Sequence, residues 1–123
     1  MGTLKLVVNN TVTNEAEIAG EFVKDNAPAL AEDVFLFILG RISYDALKAA
    51  CQTQLANWWE LGISGGTPDN QYESIYWYLL FLVESRREDE LLGNRYINQR
   101  VKECACYLIN KGKLPRFARG IRP

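Results

Sequence analysis

Apolar positions recur every three or four residues over most of this chain, and that spacing predicts helices. After Asn14, a residue type that caps helix N-termini, the segment EAEIAGEFVKDN places Ile18 and Phe22 four apart behind a run of acids, which predicts a helix over about 15–25. Pro28 suits a first helical turn, and LAEDVFLFILGR is apolar on nearly every side up to Gly40, so a second, well-buried helix is expected there. Ser43 is the expected cap of a third helix, in which Leu47, Cys51, Leu55 and Trp58 form one stripe and Gly62 is the terminator. Thr67 and Pro68 supply cap and first-turn residue for a fourth helix of about twenty residues, roughly 30 Å long. Its middle, IYWYLLFLV, is apolar all round, which fits a central helix and also suits a buried strand. After a break near Gly93, the positions Ile97, Val101, Cys104 or Ala105, and Leu108 mark a fifth helix ending at Gly112.

Residues 3–13 are rich in β-branched side chains and have no second strand to pair with, so an extended arm is expected over 1–13. The tail, 111–123, holds five basic residues, no acid and two prolines, and reads as irregular unless Leu114, Phe117 and Ile121 dock. The expected fold is therefore all-α. It is a single domain over 1–123, a compact bundle or short solenoid of about five helices with an extended N-terminal arm and an irregular basic tail.

Composition narrows this further. With 123 residues, 48% hydrophobic and 24% charged, the chain has the balance of one globular domain. Its longest unbroken apolar stretch, Ile75–Val83, is well short of the roughly 20 residues of a membrane span, so no membrane association is expected. The opening MGTLKLVVNN lacks the pattern of a secretory signal, and three cysteines, Cys51, Cys104 and Cys106, are an odd number suited to free thiols. A cytoplasmic location is expected.

The net charge of -1 hides an uneven distribution. Up to Ser85 there are four basic and eleven acidic residues, a net of -7; after it there are ten basic and four acidic, a net of +6. In a folded bundle the two halves either pair with each other or present separate faces. If separate, the acidic face gathers Glu15, Glu17, Glu21, Asp25, Glu32 and Asp33, and steers toward a basic protein partner. The basic face gathers Arg86, Arg87, Arg95, Arg100, Lys102 and the tail cations Lys111, Lys113, Arg116, Arg119 and Arg122, a set suited to phosphates. The chain's pI of about 5.5 is far from that of a dedicated nucleic-acid binder.

Candidate chemistry is sparse. The chain has no histidine, so triads and imidazole ligands are excluded, and no catalytic residue is assigned. Cys104 and Cys106 lie about 200° apart on a helix and make a poor chelate, while Glu17 and Glu21 are a lone carboxylate pair; no metal or cofactor is expected. The turn GISGGTPDN lacks the lysine and hydroxyl of a phosphate loop and reads as a connector. Aromatics are 11% of the chain. Trp59 sits about 100° round from the buried Trp58 stripe, and with Tyr72 and Tyr78 it is a candidate anchor for an interface.

In general character this histidine-free, aromatic-rich helical chain resembles the small immunity or inhibitor proteins of bacteria and phages. That resemblance implies a non-enzymatic protein that binds and occludes a protein partner, such as a basic toxin or a nucleic-acid-binding protein. The expected contact set is then Glu17, Glu21, Asp25, Trp59, Tyr72 and Tyr78. The alternative is a nucleic-acid-associated accessory subunit using Arg95, Arg100, Lys113, Arg116 and Arg119. A homo-oligomer joining acidic to basic surfaces is a third option.

Overall fold

The computed structural model describes the backbone of residues 2–63 and 65–123, and the side chains of residues 15–63 and 65–123. The order is α1 (Gly2–Ile38), α2 (Tyr44–Glu60), α3 (Gln71–Ser85), α4 (Glu88–Gly93) and α5 (Arg95–Leu108). Among the described residues the only β pairing is an isolated bridge between Gly66 and Arg122. The chain is an all-α bundle, as the periodicity predicts.

α1 departs most from expectation. The backbone of residues 2–13 is helical, where an extended arm was expected, and the two helices expected over 15–25 and from Pro28 are one. A proline inside a helix removes one hydrogen bond and costs about 3 kcal/mol. That cost is outweighed along the inner face, where Ala19, Val23, Ala27, Leu30, Ala31 and Val34 are all 1% exposed or less. Burying one valine or leucine contributes roughly 1.5–3 kcal/mol, and this stripe runs unbroken past Pro28. A break there would turn part of the stripe away from the core.

Ser43 caps α2 as expected, its Oγ accepting from Ala46 N at 3.0 Å, and Gly62 ends the helix at φ 68°. Leu47, Cys51 and Trp58 are buried, with Leu55 packed at their edge. α3 starts later than expected. Asn70, not Thr67, is its cap, and Asn70 Oδ1 accepts from Glu73 N at 2.8 Å. It also stops earlier, because Lys48 Nζ of α2 donates to the carbonyls of Val83 (3.3 Å) and Glu84 (2.5 Å). Tyr44 Oη donates to Arg86 O at 2.7 Å, and Arg86 is extended. The residues that follow form the separate short helix α4. Asn94 caps α5 by accepting from Ile97 N at 3.0 Å.

α3 occupies the centre, packed on α1, α2 and α5. Ile75, Tyr76, Trp77, Leu79, Leu80, Leu82 and Val83 are all buried. Trp77 meets Trp58 of α2 and Tyr76 edge-on at 4.7 Å, and Phe22 of α1 stacks on it at 6.0 Å. Tyr76 Oη donates to Gln54 Oε1 at 2.5 Å, while Gln54 Nε2 donates to Asn26 O of α1 at 3.2 Å. Three helices are thereby tied by one buried polar chain.

Candidate functional site

The basic tail is held on the body of the protein. Glu73, on the first turn of α3 and only 1% exposed, accepts from Arg122 through both oxygens, at 2.6 Å from Nε and 3.0 Å from Nη2. Its Oε2 also accepts from Trp77 Nε1 at 3.0 Å. The paired fork of this contact is the strong geometry for a guanidinium and a carboxylate, and it raises the Arg122 pKa above its ordinary value. Arg122 N donates to Gly66 O at 2.9 Å, and Gly120 N to Ser74 O at 3.1 Å. At Gly120 the tail backbone lies so close to α3 that a Cβ would stand 2.7 Å from Ser74 O and from Trp77 C, which only glycine permits.

The apolar residues expected to dock the tail do not. Leu114, Phe117 and Ile121 are exposed, whereas Pro115 and Ala118 are buried. The tail lies down through a proline, an alanine, a glycine and a buried ion pair. Phe117 has φ 57°, left-handed backbone that costs a non-glycine residue energy, and its side chain is 93% exposed.

Between α5 and this tail runs a groove of about 650 Å³. Five cations line it, Arg100 and Lys102 from α5 and Lys111, Lys113 and Arg116 from the tail, against the single carboxylate of Glu103. Glu103 Oε1 accepts from Gln99 Nε2 at 3.1 Å. A second groove, on the other side of the tail, is lined by Arg116, Phe117 and Arg119 together with Asp69 and Ser74. Arg95 is exposed at the start of α5. Four of the five residues of the expected basic set, Arg100, Lys113, Arg116 and Arg119, therefore line the two grooves that flank the tail. Arg100 is largely buried: its Nη2 donates to Tyr78 Oη at 3.3 Å, and its guanidinium lies 5.3 Å from the Tyr78 ring and 6.0 Å from the Tyr96 ring.

Among the described residues, the only ion pairs joining the acidic and basic halves are those of Arg122 with Asp69 and Glu73. Arg86 and Arg87 pair locally with Glu90 and Asp89. Glu17, Glu21 and Asp25 are exposed in one stripe on α1, about opposite its core face.

The aromatic candidates are dispersed. Trp59 is 57% exposed and lies on the flank of α2 that carries Lys48, toward α3 and away from the acidic stripe. Tyr72 is half-buried, its hydroxyl donating to Leu108 O at 2.9 Å, and Tyr78 is half-buried against Arg100. Both hydroxyls thus act within the molecule. Sequence reasoning missed Phe81 and Tyr96, which are 60% and 68% exposed. The contacts Tyr72 to Leu108 and Tyr78 to Arg100 make α3 and α5 antiparallel and set Phe81 level with Tyr96. Their signal lay in the register of two helices, which no single segment reveals.

Burial pushes the thiols of Cys51 and Cys104 up to about 12, far from a nucleophilic thiolate at neutral pH, while Cys106 opens onto the basic groove. Among the described residues no three cysteine, aspartate or glutamate side chains gather closely enough to hold a metal ion, and no helix is long and apolar enough to cross a membrane. Comparison with models of protein families, with curated proteins and with solved structures finds no match to this chain.

Proposed function

We propose that this protein is a non-enzymatic, nucleic-acid-associated accessory protein that binds a phosphate backbone along the α5–tail surface. The observation that carries the reading is the convergence of five cations on one groove with one opposing carboxylate, on a chain whose net charge is -1. Concentrating positive charge locally at no gain in overall charge favours an anionic ligand that spans several cations. Lys102, Lys111, Lys113 and Arg116 take phosphates as point charges and forks. Arg100, tied between two tyrosines, shapes the groove wall more than it reaches outward.

The test is fluorescence anisotropy of labelled oligonucleotides against salt. Neutralising four phosphates gives a slope of about -3.6 in log affinity against log salt on duplex and about -2.8 on single strands. The triple charge reversal Lys111→Glu, Lys113→Glu, Arg116→Glu is expected to abolish binding at moderate salt. Equal affinity in this variant and the parent would overturn the reading.

A second reading rests on the acidic stripe of α1, which makes no ion pair among the described residues. Glu17, Glu21 and Asp25 face outward, as an inhibitor or adaptor that steers onto a basic protein requires. Its aromatic candidates are dispersed, with the hydroxyls of Tyr72 and Tyr78 bonded internally and Trp59 on a different flank, so it stands second.

A further inference from the structure

A phosphate backbone reaches the basic groove from a duplex or from a single strand, and the docked tail discriminates between them. We infer that the ligand is single-stranded nucleic acid, and that Phe117 is the platform on which one of its bases stacks. This rests on the basic-groove reading and deepens it.

Phe117 is the most exposed large hydrophobic side chain among the described residues, at 93%. It is not a loose end. Pro115 and Ala118 on either side are buried, Gly120 is hydrogen-bonded to Ser74, and Arg122 is locked to Glu73. A tail clamped at four points therefore holds a phenyl ring out into water, with φ 57° at the residue that carries it. The turn at Phe117 serves the burial of its neighbours, but the ring itself adds nothing to the core, so an unmet partner is the simplest physical account of its exposure.

Its neighbours define the partner. Arg116 and Arg119 flank the ring in sequence and line the same groove with it, and Arg116 also lines the basic groove on the other side with Lys111 and Lys113. An exposed ring beside cations spaced along a track is the arrangement that single strands use: phosphates follow the charges and an unstacked base covers the ring. In a duplex the base faces are already stacked on each other and cannot cover Phe117. An acidic peptide satisfies the cations but offers a flat π-face only where it also carries an aromatic side chain, whereas every nucleotide of a single strand brings one beside its phosphate. Tyr96, exposed beside the Arg100 guanidinium further along α5, is a second ring on the same basic surface.

The experiment measures affinities of the full chain for labelled oligo(dT) and oligo(U) of about fifteen nucleotides, a duplex of equal length, and inorganic polyphosphate as competitor. Phe117→Ala is expected to weaken single-strand binding about tenfold, leave the salt slope unchanged, and leave duplex binding unchanged. Phe117→Trp is expected to restore or exceed the parent's affinity. Because the ring is exposed, both variants should keep the parent's circular dichroism and melting temperature. Equal single-strand affinity in Phe117→Ala, or equal losses on single strand and duplex, would overturn the stacking inference. Polyphosphate binding as tight as oligo(dT) would overturn it too. If Lys111, Lys113 and Arg116 reversal weakens binding while Phe117→Ala does not, the groove reading survives and only the stacking role falls; if neither variant matters, both fall.

Discussion

Glu73 and Arg122 are 49 positions apart, yet their pairing is what turns a basic tail into a surface. Removing one partner of a buried pair leaves the other desolvated, at a cost of roughly 3–5 kcal/mol if nothing moves. Here the tail can swing away, so Glu73→Gln is expected to release it at a smaller cost to the body. Limited trypsin digestion would show this as faster cleavage after Arg116 and Arg119, with the fragment 1–116 still folded. Gly120→Ala should give the same pattern through a steric clash with α3. The thiols give an independent check. At pH 8, iodoacetamide should modify Cys106 first and reach Cys51 and Cys104 only on unfolding. In the unfolded chain those two ionise near their ordinary value of 9.0, but in the fold only near 12. The stability they contribute is thus full below pH 9 and is lost as pH rises toward 12. A melting temperature flat from pH 9 to 11 would contradict this. None of these pairings was legible in the sequence, because a lone buried glutamate and a terminal arginine look like ordinary surface charges until the fold brings them together.

At the scale of elements, the caps show which local signals decide. Ser43, Gly62 and the break near Gly93 act where the pattern puts them, since each satisfies backbone groups within its own turn. Thr67 is not used as a cap, since Gly66 pairs with Arg122 of the tail and Asn70 takes the capping role. The end of α3 is likewise set from outside, by Lys48 of α2. Pro28 is the sharpest case, a helix breaker overruled by a continuous buried face. Pro28→Ala is therefore expected to stabilise the fold by about 1–2 kcal/mol, the regained helix propensity and hydrogen bond being partly offset by a more flexible unfolded chain. A drop in the denaturant midpoint would show that the proline holds a bend the packing needs.

For the whole molecule, the uneven distribution of charge along the chain is the organising feature. Among the described residues no ion pair joins the acidic outer stripe of α1 to the basic α5–tail surface, although α1 packs against α5 and Glu15 acts on Arg122 through space. Reversing Glu17, Glu21 and Asp25 to lysine is expected to leave stability within about 0.5 kcal/mol, because exposed charges contribute little. The same change should slow association with a basic protein partner at low salt by about tenfold or more, read by stopped-flow, with the difference vanishing at high salt. Unchanged rates at low salt would remove the α1 face from any recognition role.

The helical character of the second half of the chain, the central place of α3, the outward stripe of acids and the cationic run at the C-terminus were all determined by the sequence alone, while the separate α4 was not. Each depends on residues within one or two turns of each other, where periodicity and capping chemistry act. The continuity of α1 through Pro28, the docking of the tail, the groove that Lys102 shares with Lys113, and the ring of Phe117 held in water were decided only in the tertiary structure. Those depend on which distant surfaces share a buried contact, and no local pattern carries that information.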